Sequence, residues 1–221
     1  MSLRISVGGA VGRLENEPKR KYIIRVVSLA LCNHAIRIAG GALRDTREIW
    51  RSNMKVIGQQ RNSRMCVICG LDNQFGVRAP FYNMTDGSVA SPFRYREWHQ
   101  SYPGRVHGGM ITAMLDEMGL RGLWAAKNDD TEFGVTISLE TRYRKPVPYE
   151  TELLATGKLI EDRSRLFAVE ARILTLDGEL LADGILRYLH LPVERISEGA
   201  SVHEEMPYSP ECTITELQVP E

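Results

Sequence analysis

Asp116 and Glu117 stand side by side in the middle of a segment that is otherwise nearly all apolar, PGRVHGGMITAMLDEMGLRGLWAAK (Pro103–Lys127). A carboxylate in such surroundings is costly unless it is paired or has work to do. Glu117 has Arg121 four residues on, the favourable helical ion-pair spacing. Asp116 has no cation three or four residues away, so it is the candidate base or nucleophile. The same segment opens on His107-Gly108-Gly109. A helix N-terminus offers unpaired N–H groups and the positive end of the dipole, and glycines let a ligand approach that backbone closely. Fixed N–H donors and a carboxylate together suit attack on a carbonyl that becomes an oxyanion. Asp116 lies nine residues after His107, ~13.5 Å along a helix and about half a turn round it. One helix cannot bring both ends to one carbonyl, whereas two antiparallel copies can. If both groups act on one carbonyl, the spacing therefore requires a dimer with shared sites.

The elements around this helix follow from periodicity. FGVRAPFYN and GSVASPFRY flank Asp86-Gly87, which predicts a hairpin. REWHQSYPGR is a polar loop leading into the helix. In TEFGVTISLETRYRKPVP, the residues Phe133, Val135, Ile137, Leu139 and Tyr143 alternate with polar ones. That is a long strand with one wet face, and Thr136 falls on the wet side. TELLATGKLIE, RLFAVEARILTL and ELLADGILRYLHLP predict three more strands, separated by turns at 162–164 and 177–178. An antiparallel sheet must hide its apolar face, and the helix is the one large apolar object available. The expected class is α+β, a curved sheet wrapped around one central helix.

Charge divides the chain into three spans. Residues 1–65 carry 13 Lys/Arg against 4 Asp/Glu, residues 66–191 carry 14 against 17, and residues 192–221 carry 1 against 7. The first span is expected to be a basic extension, partly disordered and partly helical, with ALRDTREIWRSNMKVIGQQ its clearest helix. Residues 66–192 are expected to form the folded domain, and 193–221 an acidic irregular tail. A basic arm permits nucleic-acid binding, but a solvated extension is the plainer reading, and a nucleic-acid partner is not expected. No run reaches the ~20 apolar residues of a membrane span, no secretory leader is evident, and a cytoplasmic location is expected. Cys66-x-x-Cys69-Gly70 supplies half of a zinc site. No second pair follows, so no metal and no other cofactor are expected.

Three stretches carry a family likeness: PGRVHGGMITAMLDE (Pro103–Glu117), FGVTISLETRYRKPVP (Phe133–Pro148) and LADGILRY (Leu181–Tyr188), with CVICGLDNQFGVR (Cys66–Arg78) before them. With these residues the sequence resembles the hotdog-fold acyl-CoA thioesterases of the phenylacetate type (PaaI-like). The resemblance implies hydrolysis of an acyl-CoA to a carboxylic acid and CoA at a dimer-interface site, in a homodimer or a dimer of dimers. It implies that the Gly108 N–H holds the oxyanion, that Asp116 is the catalytic carboxylate and that Thr136 helps hold water. His107 shapes the turn and Gly109 opens it to substrate. Some relatives carry Asn six residues before the histidine; here Ser101 stands there with Gln100 beside it. Arg142, Arg144 and Arg165 are candidates for the CoA phosphates, as are Lys145 and Arg163. The alternative is a non-catalytic acyl-CoA-binding module that acts as a sensor through its basic N-terminal region.

Overall fold

The computed structural model describes residues 53–197, 199, 201, 204 and 206–220. The expectations for residues 1–52 lie outside the described residues. The chain folds as β1 (Asn53–Gln59), β2 (Tyr82–Met84), β3 (Val89–Arg94), a 3-10 turn (Glu97–His99), β4 (Gln100–Tyr102), β5 (Arg105–Val106), α1 (Gly108–Lys127), β6 (Gly134–Tyr143), β7 (Glu152–Asp162), β8 (Leu166–Thr175), β9 (Leu180–His190), α2 (Val193–Ile196) and β10 (Glu216–Gln218). Eight strands form one antiparallel sheet in the order β10-β1-β2-β3-β7-β8-β9-β6, and β4 pairs with β5 in a separate hairpin. α1 lies across β7, β8 and β9. This is the expected α+β hotdog arrangement.

Met114, Leu115, Met118 and Leu123 of α1 are fully buried in one cluster with Phe81, just before β2, and with Val89, Leu153, Ala155, Val169, Ala171 and Leu186 of the sheet. Burying each such large side chain contributes about 1.5–3 kcal/mol. Helix and sheet approach so closely that a Cβ on Gly157 would stand 2.8 Å from the Met118 carbonyl oxygen. His107 caps α1, its ring nitrogen accepting from the Gly109 N–H, and Asn128 closes it in the left-handed conformation.

Three expectations need correction. The helix expected across residues 42–60 is a strand from Asn53 onward, because Met54 and Val56 pack with Tyr82, Met84 and Leu154 on one side of the sheet. The domain therefore starts before residue 66. The acidic tail is not wholly irregular: Val193 and Met206 bury against Trp124 and Phe133, and β10 returns to pair with β1. Thirdly, the alternation read along β6 does not hold through the strand. The register to β9 shifts between Thr136 and Ser138, and such a bulge exchanges the two faces. Thr136 is nonetheless exposed, as expected, and stands opposite Tyr188 within hydrogen-bond reach of Asp116 on α1.

Candidate active site

Asp116 sits on the α1 face toward β6 and β9, half-buried. Its Oδ1 accepts from the Thr136 hydroxyl at 2.8 Å and from the Tyr188 hydroxyl at 2.9 Å. Tyr188 also lies 2.8 Å from the Asp116 carbonyl oxygen. Burial and the nearby Asp116 charge push the Tyr188 hydroxyl well above its ordinary titration range, so it stays a donor. Both hydrogen bonds fall on Oδ1, while Oδ2 has no partner among the described residues. One carboxylate oxygen is anchored and the other is unengaged.

The sequence singled out Asp116 and Thr136, which the structure joins by a hydrogen bond, but not Tyr188, which the fold brings in from 72 residues away. A trace of it was present in Gly119. Glycine inside a helix costs about 1 kcal/mol relative to alanine, and here the reason is local. A Cβ on Gly119 would fall 1.9 Å from the Tyr188 oxygen, so Tyr188 reaches Asp116 across a gap that only glycine leaves. Tyr188 is itself held by stacking on Phe167, with centroids 4.7 Å apart.

At the start of α1, the His107 ring takes the Gly109 N–H at 2.9 Å, so His107 positions the turn. The Gly108 N–H, first in the helix, has no partner among the described residues. A Cβ on Gly108 would make only ordinary contact, 3.5 Å from the Tyr143 oxygen. Packing alone does not demand glycine there. Tyr143, also missed, donates to the Gly108 carbonyl at 3.1 Å and shares a 2.6 Å hydrogen bond with Thr112. Gly108 and Asp116 stay ~12 Å apart along the helix, so one copy does not bring them together.

The other candidates scatter. Gln100 and Ser101 are exposed on β4 and do not touch Asp116 or Thr136. Arg142 pairs with Glu140 in the open. Arg144 grips Asp183 through two nitrogens, at 2.6 and 3.1 Å, so its charge is largely committed. Lys145 pairs with Glu179 and Arg163 with Glu161. Arg165 is exposed and forms no ion pair among the described residues. His99, in the loop before α1, is buried and bonded to the Phe75 carbonyl at 2.7 Å; burial lowers its pKa from the usual 6.5. A concavity of about 630 Å³ is lined by Lys127, Glu132, Asp162 and His190 near the far end of α1, ~16 Å along the helix from Asp116.

Glu117 faces elsewhere. Its Oε1 holds Arg121 at 2.8 and 3.0 Å. Arg121 is 1% exposed and lies over the Phe81 and Trp124 rings. It also donates to the Arg61 carbonyl at 2.6 Å. Burial works against the Arg121 charge, and the Glu117 carboxylate outweighs it. The two adjacent carboxylates therefore divide the work: Glu117 holds a buried cation, and Asp116 is left with a free oxygen.

Residues 103–182 match the family profile described as the thioesterase superfamily. No curated protein matches the chain. Among solved structures, a thioesterase superfamily protein is 28% identical with a TM-score of 0.50, over 57% of this chain and 60% of that one. This chain thus spans less than two thirds of that relative. A hypothetical thioesterase from Streptococcus pneumoniae, solved with coenzyme A, is 17% identical over 48% of this chain and 80% of that one, with a TM-score of 0.42. Zebra fish thioesterase superfamily member 2 is 19% identical over 47% and 74%, with a TM-score of 0.43. The matched span runs from the entry of α1 through Asp116 and Thr136 into β9, and over residues 103–182 the chain is similar to the thioesterase superfamily.

Proposed function

We propose that the protein is an acyl-CoA thioesterase of the phenylacetate (PaaI-like) type, which hydrolyses the thioester to a carboxylic acid and CoA. The observation that carries this reading is the Asp116 carboxylate, pinned through Oδ1 by Thr136 and Tyr188 with Oδ2 unengaged. Oδ2 either takes a proton from a water that attacks the carbonyl carbon, or attacks that carbon itself to form a mixed anhydride, which water then hydrolyses to the free acid and the regenerated carboxylate; in both routes a C–O bond replaces the C–S bond and the leaving thiolate takes up a proton. The Gly108 N–H and the α1 dipole stabilise the oxyanion formed on the way. Initial rates of thiol release across an acyl-CoA panel test the activity. Tight binding of an acyl-CoA without cleavage would replace this reading with that of a sensor.

The active form in this proposal is a homodimer. Gly108 and Asp116 must come from different copies, and β6 is an edge strand carrying the exposed apolar side chains Ile137, Leu139 and Tyr143. A long apolar edge is an invitation to pair with another chain. Subunit mixing tests this directly. Gly108→Pro removes the N–H at the first helical position, where proline is well accommodated. The preceding His107 is already extended, at φ −64° and ψ 134°, as a residue before proline prefers. Mixed with Asp116→Asn, each heterodimer holds one intact site and one with both defects. Two inactive proteins should therefore regain up to about a quarter of the parental rate after random exchange. Verified exchange with no recovery would show that the site is not shared.

A further inference from the structure

Cys66 and Cys69 lie in a turn before β2 that the chemistry at Asp116 does not use. The Sγ atoms of Cys66 and Cys69 and a carboxylate oxygen of Glu117 lie within 4.8 Å of one another. The Cys66 thiol is 3.5 Å from Glu117 Oε2, the oxygen turned away from Arg121. We infer that Cys66, Cys69 and Glu117 form a binding site for a thiophilic divalent cation, zinc being the representative ion.

Four observations support the site. With Zn–S near 2.3 Å and Zn–O near 2.0–2.2 Å, the S···O edge of a zinc tetrahedron is about 3.5 Å. The Cys66–Glu117 separation has that length. The Ile68 and Cys69 backbone N–H groups point at Cys66 Sγ, at 3.3 and 3.5 Å, and such donors favour a thiolate. The Ser63 hydroxyl reaches Cys69 Sγ at 3.2 Å. Arg121 fixes the Glu117 carboxylate through Oε1, the supporting role that ligand partners play around metals.

Charge gives the same answer. Two thiolates and Glu117 beside Arg121 leave a net charge of −2, which a divalent cation neutralises; the two thiol protons pass to solvent on binding. A disulfide between the two cysteines would leave no task for the second oxygen of Glu117. Three protein ligands leave the fourth corner of the tetrahedron for water. The bound ion would tie the turn at 66–70 to α1 one residue beyond Asp116.

The test uses the reduced full chain, stripped with a chelator and then equilibrated separately with zinc and with cobalt. One zinc per chain should survive gel filtration, and cobalt should give thiolate-to-metal charge-transfer absorption. Cys66→Ser and Cys69→Ser should each abolish both signals, while Cys212→Ser should leave them unchanged. Folded Glu117→Gln should bind at least about tenfold more weakly. Cobalt bound without thiolate absorption, zinc retained by Cys66→Ser, or reduced parent protein that holds no zinc would each overturn the assignment. None of these outcomes depends on whether an acyl-CoA is cleaved.

Discussion

Asp116→Asn should lower the rate of CoA release by about 10²–10⁴, the usual cost of removing a general base. The fold should survive. Asp116 is half-exposed, and an asparagine oxygen can still accept from Thr136 and Tyr188 at the Oδ1 position. Only the charged, unengaged oxygen is lost. Tyr188→Phe keeps the stacking on Phe167 and removes one of the two hydrogen bonds that orient the carboxylate. A net hydrogen bond of about 1 kcal/mol corresponds to roughly five- to tenfold in rate, so this variant should fall between the parent and Asp116→Asn. Thr136→Ala should behave likewise. The readout is the initial rate on one good substrate, with circular dichroism and melting curves on each protein. Asp116→Asn that is folded and nearly fully active would sink the assignment, and Tyr188→Phe as dead as Asp116→Asn would move the chemistry to the hydroxyl.

What the sequence revealed and what it hid have different physical origins. Strand and helix periodicity is local, so β7, β8, β9 and α1 were legible, as was the burial of α1 inside the sheet. Asp116 was legible because its lack of a helical cation partner is also local. The far partners were not. Tyr188 lies 72 residues from Asp116, and Cys66 lies 51 from Glu117; no spacing rule connects them. The exposed side of Thr136 was legible, but the bulge just after it was not, and one inserted residue reverses every assignment beyond it. β1 was misread because MKVIGQ has apolar residues that fit a helix face as well as a short strand. Its strand form depends on pairing with β2 and on the return of β10 from the far end of the chain. The pairing of Glu117 with Arg121 was visible, but its depth was not, and the depth sets its energy.

That depth gives Glu117→Gln a large effect on stability and a specific signature. The i,i+4 spacing alone predicts a loss of ~0.2–0.5 kcal/mol, the value of an exposed helical ion pair. Arg121 is 1% exposed. Its remaining contacts are the Arg61 carbonyl, the Gln60 side chain and two aromatic faces, none of which carries negative charge. Removing one partner of a buried pair leaves an uncompensated charge and costs about 3–5 kcal/mol. For a chain of this size that is a fall in melting temperature of roughly 6–20 °C. Measuring with a chelator present separates this effect from any bound cation. Removing both charges should be milder than removing one: Glu117→Gln combined with Arg121→Met leaves no unpaired ion, and an apolar replacement of a buried pair is often close to neutral. The double variant should therefore melt above the single one. If Glu117→Gln instead stays within about 0.5 kcal/mol of the parent, Arg121 is solvated in solution, and the division of labour between the two neighbouring carboxylates fails with it.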